Sequence, residues 1–494
     1  MSRRHASHSP ATLLSRRTLS AAVFSAFLGT QTIVSAQVTP DPNAGAHRPG
    51  TDAAANGVPV VNLVAPSAAG VSHNQYQQFN VDRQGLILNN AAGVSQTQLG
   101  GYITGNPNYQ AGQSAKLIVN EVTSTNPTYL RGYTEVAGNA ADVIVANPNG
   151  IRVSGGGFIN TPRATLTTGV PVFGGDGSLS AFHVTRGAIN IDSDGLNASN
   201  IDRLDLIARN LAVNGKVWAN HLNVVSGANQ VDYAGLAAQV IAGEGEAPSV
   251  SVDVAALGGM YATKIHLVGT EAGIGVRNAG ELATQRGDFT IDAAGQVQMT
   301  GLTSSAGHLT IHGAGVSNRG TMQSGGAMAL QAGADLLNAG TVYSAGDLAL
   351  TAGGVLRNDG AMAAANNATL RAQQLASSGT LGAGVAGDGS LQGSGALDIV
   401  TLGTLAAKGR NLAAGGITLQ GSALDLSGAQ TQAGGDVSLT STSGDIDHRS
   451  ATLASGVLSV RSAGDVDNRG GQMQASQLDA QAAAWRNAYG SVQT

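Results

Sequence analysis

No cysteine occurs among the 494 residues, so disulfides, thiolate metal sites and cysteine nucleophiles are excluded. Charge is sparse too. Asp, Glu, Lys and Arg make up 12% of the chain, about half of what an ordinary globular domain carries. Only four of the 26 basic residues are lysine, and the formal balance is 26 − 31 = −5. A mildly acidic chain without clustered Lys and Arg is poorly suited to neutralise phosphates, which argues against nucleic acid as a partner. Aromatics are few, with two Trp, seven Phe and nine Tyr. Beyond the first 36 residues no run approaches 18 apolar residues, so the mature chain is expected to hold no membrane-spanning helix. What the sequence does have is 70 glycines and 42% apolar residues. That apolar content at low net charge argues against disorder. Abundant Gly and short apolar side chains favour one long repetitive body over several separate domains.

The first 36 residues read as an export signal. Arg3, Arg4, Arg16 and Arg17 precede an uncharged, mostly small or apolar stretch from Thr18 to Val34. Val34-Ser35-Ala36 ends it with small or apolar groups, which predicts cleavage before Gln37. The alternative is an N-terminal membrane anchor, but the core is short and broken by Ser20, Ser25, Gly29 and Gln31. Removing this acid-free segment leaves 22 − 31 = −9.

A repeat emerges by subtraction. Asn278, Asn318, Asn338 and Asn358 are 40, 20 and 20 residues apart, with Gln298 and Ser378 in the same phase. Gly280, Gly320, Gly340 and Gly360 stand two residues later. A Gly-x-hydrophobic-x-hydrophobic element recurs at Gly287, Gly307, Gly326 and Gly346. The period returns with shifted phase at Ile446 and Val466 and at His448 and Asn468; between about 380 and 440 it blurs. Each unit holds short apolar/polar alternations between Gly, Asn, Asp and Ser, with no helical face. Twenty residues cannot bury a core alone, so neighbours must stack. The pattern predicts an all-β fold, a right-handed parallel β-helix with about 20 residues and three short strands per coil. Glycines would supply positive φ at the corners, and asparagines would form an amide ladder. At about 4.8 Å per rung, roughly 23 coils over residues 37–494 would make a rod on the order of 110 Å. An all-β sandwich is the alternative, but its strands would not repeat at 20 with matched Asn and Gly.

Residues 57–160 are less repetitive. They contain Asn106-Pro107-Asn108-Tyr109, Asn126-Pro127-Thr128-Tyr129 and Asn147-Pro148-Asn149-Gly150, each a β-turn by its chemistry. Their starts lie 20 and 21 residues apart, which predicts the same coil length here. Taken alone, they are corner turns of a solenoid.

The stretches NGVPVVNLVAPSAAGVSHNQYQQFNVDRQGLILNN (56–90) and NEVTSTNPTYLRGYTEVAGNAADVIVANPNGI (120–151) resemble the secretion domain of two-partner secretion exoproteins. They are most similar to the filamentous haemagglutinin family. The resemblance implies that Asn147, Pro148, Asn149 and Gly150 match one family motif. Asn106, Pro107 and Asn108 match the other, usually Asn-Pro-Asn-Leu, with Tyr109 here in the last place. It further implies export through the periplasm of a Gram-negative bacterium to the cell surface or medium. The implied partners are a dedicated outer-membrane β-barrel transporter, which recognises the domain, and an unknown glycan or protein receptor. The expected division is a signal peptide at 1–36, a secretion domain capping the β-helix at 37–265, and haemagglutinin-type repeats at 266–494. The chain stops after Trp485-Arg486-Asn487 without an evident polar cap, so a longer parent is expected.

No chemistry is expected. There is no Gly-x-Ser-x-Gly elbow, no His-Glu-x-x-His and no phosphate loop, so the expectation is no enzyme, no catalytic residue and no cofactor. His308 and His312 suggest a metal pair, but no third ligand is evident, and solvated histidines are preferred. Gly174-Gly175-Asp176-Gly177 and Gly387-Asp388-Gly389 read as turns. Asp202 and Asp205 alternate with Leu204 and Leu206 as a solvated strand face. Arg286-Gly287-Asp288 is an integrin-type tripeptide and a possible receptor contact. Gly-Asp is itself a repeat feature at Gly346, Gly435, Gly444 and Gly464, so its occurrence needs no selection for binding. The first reading is therefore an adhesin. A contact-dependent inhibition toxin or haemolysin, of which this would be the secretion and shaft portion, is the alternative. A polysaccharide-processing β-helix enzyme comes last.

Overall fold

The computed structural model describes residues 37–494, and the predicted signal peptide lies outside the described residues. Short strands wind into three parallel faces, as one mid-chain coil illustrates. Phe289–Ala293, Gln296–Met299 and Leu302–Ser305 pair in parallel with Leu309–Gly313, Gly315–Asn318 and Thr321–Ser324 of the next. The chain is thus a parallel β-helix, as the period predicted. Alternate side chains face inward. Phe289, Leu309, Met328, Leu348, Ala368 and Leu397 form one buried column, and Ile291, Ile311, Leu330, Leu350, Leu370 and Ile399 a second.

The coil count is lower than expected, about 18 rather than 23, or about 86 Å at the same rung spacing. The reason is unequal coil length. Along one face, Asn74 pairs with Asn120, Thr165 with Asp205 and Asn223 with His266, steps of 46, 40 and 43 residues. From Thr290 onward the steps settle to 20, 19, 20 and 20 through Thr310, Ala329, Ala349 and Thr369. The even spacing of the three Asn-Pro turns reflects a coil length only in part: Asn126 and Asn147 stand on successive coils, whereas Asn106 sits at a different corner. The blurred stretch also resolves: Thr369 pairs with Asp398, a step of 29. The extra residues form a loop closed by an antiparallel bridge between Val385 and Leu391.

Long early coils carry antiparallel excursions. One is the hairpin of Ser95–Thr97 with Gly101–Ile103. Another is a four-stranded sheet of Val170–Phe173, Leu179–Val184, Asn229–Asp232 and Ala238–Val240. At the first coil, Val38–Pro40 and Gly50–Ala53 also pair antiparallel with their neighbours. They cover the parallel edge that would otherwise template another chain.

The asparagine ladder is present. Asn318 Nδ2 donates to Asn338 Oδ1 at 2.8 Å, Asn338 Nδ2 to Asn358 Oδ1 at 2.8 Å, and Asn358 Nδ2 to Ser377 Oγ at 3.2 Å. Two members differ from expectation. Met299, not Gln298, pairs with Asn278 and Asn318, and Ser377, not Ser378, pairs with Asn358. Coils of 21 and 19 residues shift the phase by one. The glycine role differs too. Gly320, Gly340 and Gly360 do not have positive φ. A Cβ on any of them would stand 2.0–2.1 Å from the carbonyl oxygen of Gly301, Gly320 or Gly340 respectively. Close approach of one coil to the last, not backbone twist, requires glycine at this corner.

Candidate functional site

The two Asn-Pro-Asn motifs sit at different corners. Residues 147–150 connect Asp142–Ala146 to Ile151–Val153, whereas 106–109 follow the hairpin on the way from Leu86–Asn90 to Leu117–Val122. The fold does not bring them together on one corner.

In the second motif, the Gly150 amide donates to the Asn147 carbonyl at 3.1 Å and closes the turn. Asn147 is fully buried. Its Nδ2 donates to the Asn126 carbonyl and to Thr128 Oγ1, both at 2.9 Å, and its Oδ1 accepts the Asn149 amide at 2.9 Å. Asn149 Nδ2 reaches the Ser124 carbonyl at 2.7 Å. Gly150 has φ of +107°, a conformation open mainly to glycine. Pro148 and Asn149 remain half-exposed. The first asparagine is thus an internal clamp, and the middle pair forms the outward surface.

The first motif repeats this logic. Asn106 is buried, with Nδ2 donating to the carbonyls of Leu63 and Asn89 at 2.9 Å each. Its Oδ1 accepts the Asn108 amide at 3.0 Å, and the Tyr109 amide closes the turn on the Asn106 carbonyl at 3.1 Å. Pro107 and Asn108 are exposed. Tyr109 does not have positive φ, so this position accepts a side chain where Gly150 does not. Its ring enters the main core and its hydroxyl donates to Asn90 Oδ1 at 3.1 Å. Burial pushes that hydroxyl up to about 12. Tyr in place of Leu therefore keeps an apolar anchor and gains a buried hydrogen bond.

Asn126-Pro127-Thr128-Tyr129 is not a closed turn, contrary to expectation. Thr128–Leu130 is a strand paired with Ile151–Val153, and the Tyr129 amide donates to Asn80 Oδ1 at 2.9 Å. Long-range pairing takes the amide that a local turn would have used.

Arg286 is exposed, while Gly287 and Asp288 are half-buried. Asp288 Oδ1 accepts the His308 amide of the next coil at 2.9 Å. Asp347, Asp436 and Asp445 make the same bond to Asn367, Val457 and Asp465, at 3.1, 2.8 and 2.8 Å. The Gly-Asp repeat is thus a clasp between coils. His308 Nδ1 accepts the Ala327 amide at 3.0 Å, whereas His312 Nδ1 meets Asp292 Oδ1 at 2.9 Å. Asp176 and Asp388 each accept a serine two residues on, closing local turns.

Asp205 departs from expectation, for it is buried while Asp202 is exposed. Its carboxylate takes Arg163 Nε at 2.7 Å, and Arg203 Nε and Asn223 Nδ2 at 2.8 Å each. Arg163 continues to the Tyr233 carbonyl and lies 4.1 Å from the Tyr233 ring centroid. This network straps the four-stranded sheet onto the helix. Local alternation could not reveal it, because the covering strand comes from a distant part of the chain.

Residues 36–299 match the family described as the TPS secretion domain, and residues 286–340, 305–409 and 384–470 match the haemagglutinin repeat. The chain is 53% identical over 393 residues to tRNA nuclease CdiA-2 of Burkholderia pseudomallei strain 1026b, covering 80% of this chain and 12% of that protein. It is 48% identical over 391 residues to Toxin CdiA of Yersinia pestis, covering 79% and 11%. A crystal structure of a filamentous hemagglutinin secretion domain aligns with a TM-score of 0.48 at 32% identity, over 62% of this chain and 99% of that one. The chain spans about a tenth of the length of these curated relatives.

Proposed function

Because the chain belongs to the TPS secretion-domain family, we propose that its two Asn-Pro-Asn turns are the features its outer-membrane transporter reads. The chain is exported to the cell surface or medium of a Gram-negative bacterium. A partner transporter in the outer membrane follows from the domain. The observation that carries the reading is the shared build of the turns. A buried asparagine fixes each one, and Pro107-Asn108 and Pro148-Asn149 are left outward on set geometry. A recognition surface held this way loses little conformational freedom on binding.

Secretion domain 37–265 and repeat shaft 266–494 form the proposed division, supported by coil length settling from Thr290, one rung past His266. Of the two effector classes, toxin carrier is the better supported. Similarity to tRNA nuclease CdiA-2 and to Toxin CdiA runs over 393 and 391 residues, beyond the secretion domain and into the repeats. The nuclease activity in one relative's name belongs to a protein of which this chain spans 12%. For the chain itself the proposed roles are export and projection, and any receptor contact belongs to the exposed repeat faces.

The test is Asn147→Ala with Asn149→Ala, coexpressed with the paired transporter. The variant is expected to fall to background in the medium while a β-rich circular dichroism spectrum persists in the purified chain. Wild-type levels in the medium would overturn the reading. Since Asn147 is internal, Asn108→Ala is the companion variant: Asn108 is exposed, and its loss costs only its amide's bonds to the Asn62 and Leu63 carbonyls, which water can replace.

A further inference from the structure

Where the four-stranded sheet overhangs the helix, a cavity of about 320 Å³ opens beneath the turn Ala234-Gly235-Leu236. Arg203, His221, Lys264 and His266 line it. Arg203, His221 and Lys264 are register partners on three consecutive rungs. His266 follows Lys264 by two residues and shares its outward face. In a chain with four lysines and net charge −5, this is a local concentration of cationic donors.

Nearby acids leave that charge largely uncompensated. Asp205 is shared by Arg163 and Arg203, both through Nε, so two guanidinium groups face one carboxylate. No side-chain hydrogen bond or ion pair is formed by Lys264 or His221 among the described residues, and the terminal nitrogens of Arg203 have none either. His266 Nε2 is 3.9 Å from Asp292 Oδ2, but that carboxylate is held more closely by His312 at 2.9 Å. Asp288, on the rung after Lys264, spends one oxygen on the His308 amide. The roof adds a second observation. Leu236 has φ of +59°, a strained conformation for a branched side chain. Such strain persists where the surroundings impose it, and it clusters at ligand clamps.

We propose that this cavity binds a phosphate monoester, with Arg203, His221, Lys264 and His266 supplying donors to its oxygens. An arginine fork beside an ammonium and two imidazoles suits a compact tetrahedral oxyanion. A single cavity offers no continuous basic track of the kind a long polyanion needs. The site is independent of the Asn-Pro-Asn turns, so it stands or falls separately from the transporter reading.

Calorimetric titration of the full chain with inorganic phosphate, and separately with glucose 6-phosphate, tests it. The expected result is saturable one-to-one binding that weakens at least about tenfold in Lys264→Ala with His221→Ala. Those two side chains are exposed and unpartnered, so folding should persist, as circular dichroism would verify. His266→Glu provides a second variant and should abolish binding by placing an anion in the cavity. Tighter binding of glucose 6-phosphate would mean a sugar-borne phosphate, and equal binding would mean that the phosphate group alone is read; both support the site. Absence of saturable binding, or equal affinity in the variants, would overturn it.

Discussion

At Gly340 an added methyl group would stand 2.1 Å from the carbonyl oxygen of Gly320, so the neighbouring coils would have to separate. Gly340→Ala is expected to destabilise the adjoining coils by about 1–3 kcal/mol, the usual range for overpacking. Hydrogen exchange of amides in Leu336–Asn338 and Thr341–Ser344 is the suitable readout, since long repeat arrays are not two-state. His448 tests the ladder by pH. It is buried, its Nδ1 lies 2.7 Å from Asn468 Oδ1, and its Nε2 is buried without a partner. Burial holds this imidazole below its ordinary value of 6.5, despite the opposing effects of the hydrogen bond it donates to Asn468 and the charge of Asp447. The unfolded chain therefore takes up the proton first as pH falls. The terminal coils should keep their stability above about 6.5 and lose it progressively below. His448→Asn should remove that pH dependence in the exchange rates of residues 446–468, and an unchanged profile would refute the assignment. At this scale the sequence was legible where spacing stayed at 20, as for Asn318, Asn338 and Asn358. Met299 and Ser377 were missed because a one-residue slip leaves no local mark.

Glu135 joins two elements. It is buried, and its two carboxylate oxygens accept the amides of Gln98 at 2.7 Å and Leu99 at 2.8 Å, at the tip of the hairpin Ser95–Ile103. Glu135→Gln sets an amide donor against one of those backbone donors. Hydrogen bonds to a charged group contribute about 1.5–3 kcal/mol each. Proteolytic nicking between Gln98 and Gly101 should accelerate by at least about tenfold, with the shaft intact on a gel; wild-type resistance would sink this role. The hairpin and the four-stranded sheet were not legible in the sequence. Strand Leu179–Val184 is a short apolar run with Ser180 and His183 exposed, which reads locally like another coil strand. Only its antiparallel partners, Val170–Phe173 and Asn229–Asp232, distinguish it, and the second lies 45 residues beyond Val184. The Asp205 network was hidden for the same reason.

Over the whole molecule, the parallel β-helix was legible because its repeating columns impose their period on the sequence, whereas the number of coils was not, because early coils make room for antiparallel excursions. The columns also predict which deletions are tolerated. Removing residues 341–360 joins Gly340 to Ala361, and Ala361 already occupies the register position of Thr341 one coil on. That variant should retain its spectrum and shorten by about 4.8 Å in solution scattering, whereas removing residues 341–350 should unfold the adjoining coils. The glycine corner gives this rule its sharpness between Gly301 and Gly409, where each coil docks with a glycine against the carbonyl of the coil before it. Read back into the gene, unequal crossing-over between repeats yields a working shaft of new reach when it exchanges whole units, and a misfolded one otherwise. Shaft length is therefore a trait inherited in discrete steps, and selection can adjust how far the exoprotein extends without revising a single contact inside it.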